Sequence, residues 1–477
     1  MSREHYDAVV VGSGPNGLGA AITLAQAGRS VALLEAAATV GGGMRSAELT
    51  LPGFVHDVCS AIHPLARASP FFATLDLGRY GLEWIEPPIS LAHPLDDGSA
   101  ALVTRDVEAT AASLGRDAPA YRRFIGPTLA SWDALIEDVL APFHIPFQPD
   151  RAFGLARFGL GALQPASWLV RSFADPPARA LLAGCAAHSM LRLEEPISGA
   201  FALLFLASAH AVGWPIVRGG SSRLGEALVA ELTGVGGEVI TDRRIDRLAD
   251  LPPHGVALFD VTPRQLLAIA GDRMGTQYAR GLRRYRYGPG AFKLDLALDG
   301  PIPWRNPELA GAGTVHLGGT FEEIAASERE VARGRNPERP FVLLAQHSLF
   351  DASRAPDAKH TAWAYCHVPN GSPVDMSDRI IDQIERFAPG LRDRILGRHA
   401  MGPAQLETYN ANYVGGDING GRQDLGQLFT RPTLRFDPYS TPDPAIFICS
   451  SSTPPGGGVH GMCGHLAAKS ALKAGQP

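Results

Sequence analysis

The stretch from Tyr6 to Glu35 constrains this chain more than any other. Tyr6–Val11 is a short, apolar, β-branched run, as expected for a strand buried on both faces. Gly12-Ser13-Gly14-Pro15-Asn16-Gly17 follows, then Leu18, Ala21, Ile22 and Leu24 at helical spacing, closed by Gly28. A second buried strand over 30–34 ends at Glu35. Strand, helix and strand in that order open a parallel sheet. The bare G-x-G-x-x-G pattern decides little, because 53 glycines in 477 residues give about 0.65 matches by chance. Its place between a strand and a helix decides more. Gly12 permits the tight turn, Gly14 lets the backbone approach a pyrophosphate, and Gly17 lets the helix pack on the strand. The helix start offers N–H groups and a positive dipole end to phosphates. Glu35 suits ribose hydroxyls and would repel a 2′-phosphate, which disfavours NADP.

FAD and NAD share such a half-site, so other segments must separate them. Val40-Gly-Gly-Gly-Met44-Arg45-Ser46 follows the ribose acid directly. Its glycines remove side chains where a flat ring or ribityl chain could lie, and Arg45 brings a forked cation toward the diphosphate. Alone, such a loop is more often only a loop. Near the other end, Gly456, Gly458 and Gly461 repeat the G-x-G-x-x-G spacing after an apolar strand (445–449) and before a helix (461–472). A second helix start can stabilise negative charge that gathers on a reduced flavin. A second NAD site fits less well, since no strand or ribose acid follows before Pro477. The expected cofactor is FAD, held by residues 7–45 and 445–468.

A chain of 477 residues exceeds the roughly 250–300 at which one core stops growing, so two domains are expected. Strand-and-helix texture resumes over 222–261. Residues 66–214 are rich in aromatics and in helical patterns broken by Pro. Alternating runs at 292–298, 341–346 and 361–368 suggest a second, largely antiparallel sheet. The expected fold is α/β, a Rossmann-type FAD-binding domain (1–65, 215–287 and 421–477) interleaved with an α+β substrate domain (66–214 and 288–420).

A formal net charge of −5 argues against a nucleic-acid partner. The local run Arg280, Arg283, Arg284 and Arg286, with Tyr285 and Tyr287, reads as a solvated face or as a contact for phosphate groups. Five cysteines without paired spacing indicate neither a disulfide frame nor a metal site. MSREH leaves no room for a signal peptide, and the longest apolar stretch, 199–213, is too short to span a bilayer; a cytoplasmic protein is expected.

With both ends placed, the chain resembles FAD oxidoreductases of the phytoene-desaturase-like group, within the amine-oxidase-like flavoprotein superfamily. The motifs that carry the resemblance are VVVGSGPNGLGAAITLAQAG, VGGGMRS, ELTLPGFVHDVCSAIHPL, HTAWAYCHVP and STPPGGGVHGMCGHLAA, spread over nearly the whole chain. The resemblance implies a substrate domain covering the flavin. By position, Gly12, Gly14, Gly17, Glu35, Gly42, Gly43 and Arg45 would hold the ADP half, with their neighbours Pro15, Asn16, Ala36 and Met44. Ile245, on the strand after Gly237-Glu238-Val239, would meet the adenine. Gly458, Val459 and His460 would sit at the pyrophosphate–ribityl–flavin end. Cys449-Ser-Ser-Ser stands where amine oxidases carry a small residue and Glu, which favours the desaturase-like group.

Flavin dehydrogenation needs hydride transfer to N5 and few protein catalysts. The segment His56–His63 should run beside the ring, placing Ser60 and Ala61 near it and making His63 a candidate for moving protons. His460 lies inside the flavin loop. Lys293 resembles the lysine that amine oxidases bond through water to flavin N5, and it should face away from Leu294, Leu296 and Leu298, toward flavin or toward solvent. Each of these three also has a purely structural explanation. Tyr409, Asn410 and Asn412 either line the cavity or cap turns. Trp168, Phe173, Phe201, Phe205 and Trp214 suggest an apolar tunnel or simple core. Arg151–Arg171, with Phe153, Phe158 and Trp168, could rest on a membrane surface. The reaction expected is dehydrogenation or desaturation of a mostly apolar, isoprenoid- or lipid-like small molecule, with oxygen or a quinone as electron acceptor. A C–N oxidase and a reduced-flavin isomerase are the alternatives within enzymes. A flavin-free binding module of the GDP-dissociation-inhibitor kind ranks last, because both glycine loops are intact.

Overall fold

In the computed structural model, which describes residues 4–475, the chain builds two main sheets. The first has five parallel strands in the order 446–448, 254–259, 6–11, 31–34 and 238–240. The stretches Ala8–Val11, Val31–Leu34 and Ala257–Phe259 are apolar and buried because both faces are covered. Val10, Leu33 and Leu258 face helices Pro15–Gln26 and Met462–Ala474, while Val9, Leu34 and Phe259 face helices Pro263–Ala270 and Thr276–Arg283. The glycine turn leaves a central strand at the sheet's C-terminal edge, where open parallel sheets bind ligands.

The second sheet has seven strands, in the order 395–401, 290–298, 360–368, 342–345, 312–317, 89–94 and 100–103. It is antiparallel except where 312–317 runs parallel to 89–94. Strands Ile89–Pro94 and Ala100–Val103 form a hairpin within a region that sequence patterning reads as helical. The signal was present: Asp96-Asp97-Gly98-Ser99 is a turn, and Gly98 has φ +86°.

The period of two sorts this sheet's faces. Leu294, Leu296, Val315, Leu317, Leu344 and Ala364 enter a core closed by Ile380 and Ile384 of helix Ser377–Phe387. The opposite face carries Lys293, Asp295, Thr314, His316, Trp363 and Tyr365, brought side by side by the register. Part of this polar face looks into a cavity shared with the first sheet. The rest is packed under His56 and its neighbours, where Lys293 is 3% exposed. Lys293 therefore does turn away from the leucines, but into neither solvent nor the cavity.

Candidate functional site

A cavity of about 880 Å³ runs between the two sheets, within the size range of cofactor and ligand sites. One end is made by the glycine turn, by Glu35 and Ala36, and by Ile245. The middle is walled by Gly42, Gly43, Ser60, Ala61, Ser450 and Ser451, and the far end by aromatic residues of the second sheet and of helix Ser198–Ala211. Gly12, Gly14, Pro15, Asn16, Arg45, His63, Gly458 and Val459 also line it, as do Tyr409, Asn410 and Asn412. Gly17, Met44, His460 and Lys293 lie behind the wall.

The glycines are required by contact. Gly12 has φ +100°, and a Cβ on Gly17 would stand 1.9 Å from the Gly12 oxygen. A Cβ on Gly42 would stand 2.9 Å from Gly14 Cα, so the two glycine segments touch backbone to backbone. No side chain caps helix Pro15–Gln26 at Gly14, and its first turn lines the cavity, with the Gly17 N–H taken by Asp260. Asn16 Nδ2 donates to Ser451 Oγ at 3.2 Å, joining the N-terminal grip to the C-terminal one.

Four expectations change. Glu35 is not an idle ribose acceptor. Its Oε2 accepts from Ser13 N (3.0 Å) and Ser13 Oγ (2.5 Å), and its Oε1 from Ala37 N (2.9 Å) and Arg45 Nη2 (3.1 Å). Arg45, expected at the diphosphate, turns to Glu35 and ties down the loop through the Thr39 and Val40 carbonyls. The adjacent carboxylate gives its guanidinium a charge-assisted hydrogen bond. Ile245 lies beyond strand Glu238–Ile240, in the loop that follows. His460 turns to the helix start instead of facing the cavity: its Nδ1 accepts from Met462 N at 3.1 Å, which takes up one N–H of the second helix tip. Burial lowers the His460 pKa to about 4.

Lys293 pairs with Asp295, and Asp295 Oδ1 lies 3.5 Å from His56 Nδ1. His63 does reach the cavity. Ser221 Oγ spends its proton on the Ser60 carbonyl (2.7 Å), so His63 Nε2 must donate to Ser221 at 2.9 Å. His63 Nδ1 is left as a buried acceptor without a protein partner, and burial holds the ring neutral with a pKa lowered to about 4.

Sequence reasoning missed Asp260. It ends strand His254–Phe259 and accepts from Gly17 N at 2.9 Å through Oδ2. Burial raises its pKa to about 7, with Glu35 adding to the rise. The signal was an acid at the end of a third buried strand, beside the glycine turn. Of the five tunnel aromatics, Phe205 and Trp214 line the cavity, Phe201 packs on Phe205, Phe173 packs on Phe124, and Trp168 is exposed. Arg280, Arg283 and Arg284 are exposed away from the cavity, and Arg286 pairs with Asp424. All five cysteines are free, and no metal-holding cluster occurs among the described residues.

A helix tip on the cavity wall, backbone-close glycines and a long two-sheet cavity fit FAD, and the class they define is that of the FAD-dependent oxidoreductases. The description "NAD(P)-binding Rossmann-like domain" matches residues 10–76. The chain is homologous to pyridine nucleotide-disulfide oxidoreductase domain-containing protein 2: the Rattus norvegicus protein is 27% identical, covering 98% of this chain and 93% of the relative. Hydroxyneurosporene desaturase of Cereibacter sphaeroides is 33% identical over 57% of this chain and 53% of its own. Putrescine oxidase, solved with putrescine, shares the fold at a TM-score of 0.61 and 17% identity, with 98% of each chain covered. No helix among the described residues is long and apolar enough to cross a membrane.

Proposed function

We propose that this chain dehydrogenates or desaturates a mostly apolar small molecule, isoprenoid- or lipid-like, and passes the electrons to oxygen or a quinone. The observation that carries this is the character of the far cavity wall. Phe205, Trp214, Leu343, Trp363 and Tyr365 form it, while the acids that line the cavity stand elsewhere: Glu35 and Asp260 at the ends of strands beside the glycine turn, and Glu407 on helix Pro403–Tyr409. Such a wall desolvates an apolar chain well and offers no carboxylate to an ammonium. The desaturase relative supports the same reading.

When bound, FAD supplies the acceptor for a hydride at N5. The chain's own part is to hold and to exclude. Ser60 N (3.0 Å) and Ser60 Oγ (2.8 Å) both donate to the Gly43 carbonyl, fixing the segment that carries Ala61 and His63 along the cavity. We assign to His63, which lines the cavity and whose buried Nδ1 has no protein partner, the role of taking a proton there. We assign cofactor contacts to Gly12, Gly14, Pro15, Asn16, Ala36, Gly42, Gly43, Ile245, Gly458 and Val459, and a supporting role to Gly17, Met44 and His460. The division into a cofactor unit (1–65, 215–287, 421–477) and a substrate unit (66–214, 288–420) belongs to the same reading.

The test is anaerobic bleaching of the bound flavin against a panel of polyenes, lipids and amines. Bleaching by apolar compounds is expected. Bleaching by amines alone, with peroxide release in air, would establish the C–N oxidase instead. An isobaric product formed with only catalytic reductant would mark an isomerase.

A further inference from the structure

We propose that the far end of the cavity recognises a neutral oxygen function, a carbonyl or hydroxyl, on the otherwise apolar substrate, with His188 as the donor that meets it. This rests on the apolar-substrate reading above. Helix Pro176–Ala187 delivers His188 into the cavity wall, where its ring packs on Phe205 with centroids 4.7 Å apart. His188 Nε2 lies 3.0 Å from Nε2 of His316, so one of the two nitrogens carries the proton between them.

The surroundings of His316 decide which. This residue is wholly buried on strand Ala312–Leu317, and its Nδ1 has no hydrogen-bond partner. That nitrogen faces Gly184, where a Cβ would stand 2.5 Å away. The Cα hydrogen in that direction points at Nδ1, a contact a bare lone pair tolerates and an N–H does not. His316 is therefore protonated on Nε2 and donates to His188, whose own proton then sits on Nδ1, the nitrogen left for a ligand. Gly184 is glycine because this ring occupies the space.

Nothing else at this end asks for a charged ligand. Burial keeps both rings neutral, lowering the His188 pKa to about 3. Thr314, also in the wall, accepts from Trp214 Nε1 at 2.8 Å and keeps its own O–H to give. Trp363 lines the cavity at 8% exposure with its ring, while its indole nitrogen is buried in the wall without a hydrogen-bond partner. Neutral donors gathered on an aromatic wall match a carbonyl or hydroxyl oxygen. They serve a carboxylate poorly, because no cation stands among them to offset its desolvation.

The purified flavoprotein is titrated with farnesal, farnesol and the parent hydrocarbon farnesene, followed by tryptophan fluorescence. The parent should bind the two oxygenated probes about 10-fold more tightly than the hydrocarbon, the scale of one buried hydrogen bond. His188→Leu should remove that preference and leave farnesene unchanged, and His188→Asn, which retains a donor, should restore most of it. His316→Phe should weaken the preference without touching the cavity wall. Equal affinity of the parent for all three probes would overturn the inference while leaving an apolar substrate in place. An equal loss for farnesene in His188→Leu would overturn it too. Failure of every probe to bind would withdraw the apolar-substrate reading itself.

Discussion

Gly464 lies flat against the backbone of Asn16: a Cβ on Gly464 would stand 1.7 Å from the Asn16 oxygen and 2.8 Å from the Ala20 nitrogen. A Cβ on Gly19 would likewise stand 2.6 Å from the Gly461 oxygen. Helices Pro15–Gln26 and Met462–Ala474, from opposite ends of the chain, thus cross at backbone contact. This crossing brings both glycine turns to one cavity.

Gly464→Ala should therefore force the helices apart. Backbone cannot yield as a side-chain tip can, so a loss of roughly 1–3 kcal/mol is expected, the range for overpacking a tight core. Flavin occupancy should fall with it. Gly475→Ala, whose nearest neighbour would be Ala471 O at 3.6 Å, is the control and should change little. Thermal denaturation with flavin release as a second signal checks both. A Gly464→Ala protein with unchanged melting and full flavin would refute the crossing as a constraint.

Arg354 is fully buried and serves two acids, with Nη2 3.0 Å from Asp57 Oδ2 and Nε 3.1 Å from Asp351 Oδ2. Despite its burial, Asp57 is held well below the usual carboxylate range, chiefly by Arg354. Asp57 in turn accepts from Ser221 N at 2.7 Å, and Ser221 holds His63. Arg354→Met should cost about 3–5 kcal/mol, because it strands two buried carboxylates. Loss of turnover should accompany it even where the protein still folds, since His63 loses its anchor. Urea denaturation together with single-turnover flavin reduction measures the two effects. A variant that is stable and fully active would sink the proposed route from Arg354 to His63.

Asp260 gives a pH dependence of unusual sign. Its folded pKa, about 7, lies above the ordinary 3.8, so between roughly pH 4 and pH 7 the folded state holds a proton that the unfolded state has released. Its contribution to stability is present below this window and is lost as pH rises through it. Asp260→Asn keeps an acceptor for Gly17 N–H and removes the charge. The substituted protein should melt higher than the parent near pH 8, and that gap should shrink by about 2 °C or more on going down to pH 5. A melting difference that stays constant from pH 5 to pH 8 would show that Asp260 does not titrate there.

What was legible in the sequence follows physical range. The strand, glycine turn and helix at 6–26 are local, and their geometry is dictated by residues that touch within one turn. The alternation at 292–298 turned Lys293 away from the leucines, as the structure has it, because a strand's period is fixed by its backbone. What covered that face was not legible, since His56 reaches it from another element. Arg45 was assigned by charge alone, and only the folded loop shows that Glu35 is its nearest acid. His460 sits inside a glycine loop, yet its Nδ1 accepts from the Met462 N–H at the start of the following helix, a partner that loop composition does not announce. Asp260 was unreadable as a site residue because its role arises from the Gly17 N–H, which belongs to a different strand–helix unit.

The segment before and along helix Pro149–Ala162 presents large apolar side chains to solvent: Phe143 at 71%, Ile145 at 74%, Phe147 at 102% and Phe153 at 69% exposure, with Trp168 just beyond. Singly these would need no explanation, but a concentrated patch does. Arg157 and Arg171 are exposed beside them, the latter with its guanidinium carbon 5.9 Å from the Trp168 ring centroid. Aromatic and aliphatic side chains rimmed by arginine suit a shallow seat in the interface of an anionic bilayer, where apolar substrates are concentrated. The purified protein should co-sediment with phosphatidylglycerol-containing vesicles and less with neutral ones. Phe147→Glu combined with Phe153→Glu should reduce the bound fraction at least about fivefold, since each buried aromatic contributes on the order of 2 kcal/mol. Flavin content and melting should stay unchanged, as neither residue reaches the core. Parent protein that remains in the supernatant with every vesicle composition would remove the membrane from the account, leaving the cavity's apolar wall to be filled from solution.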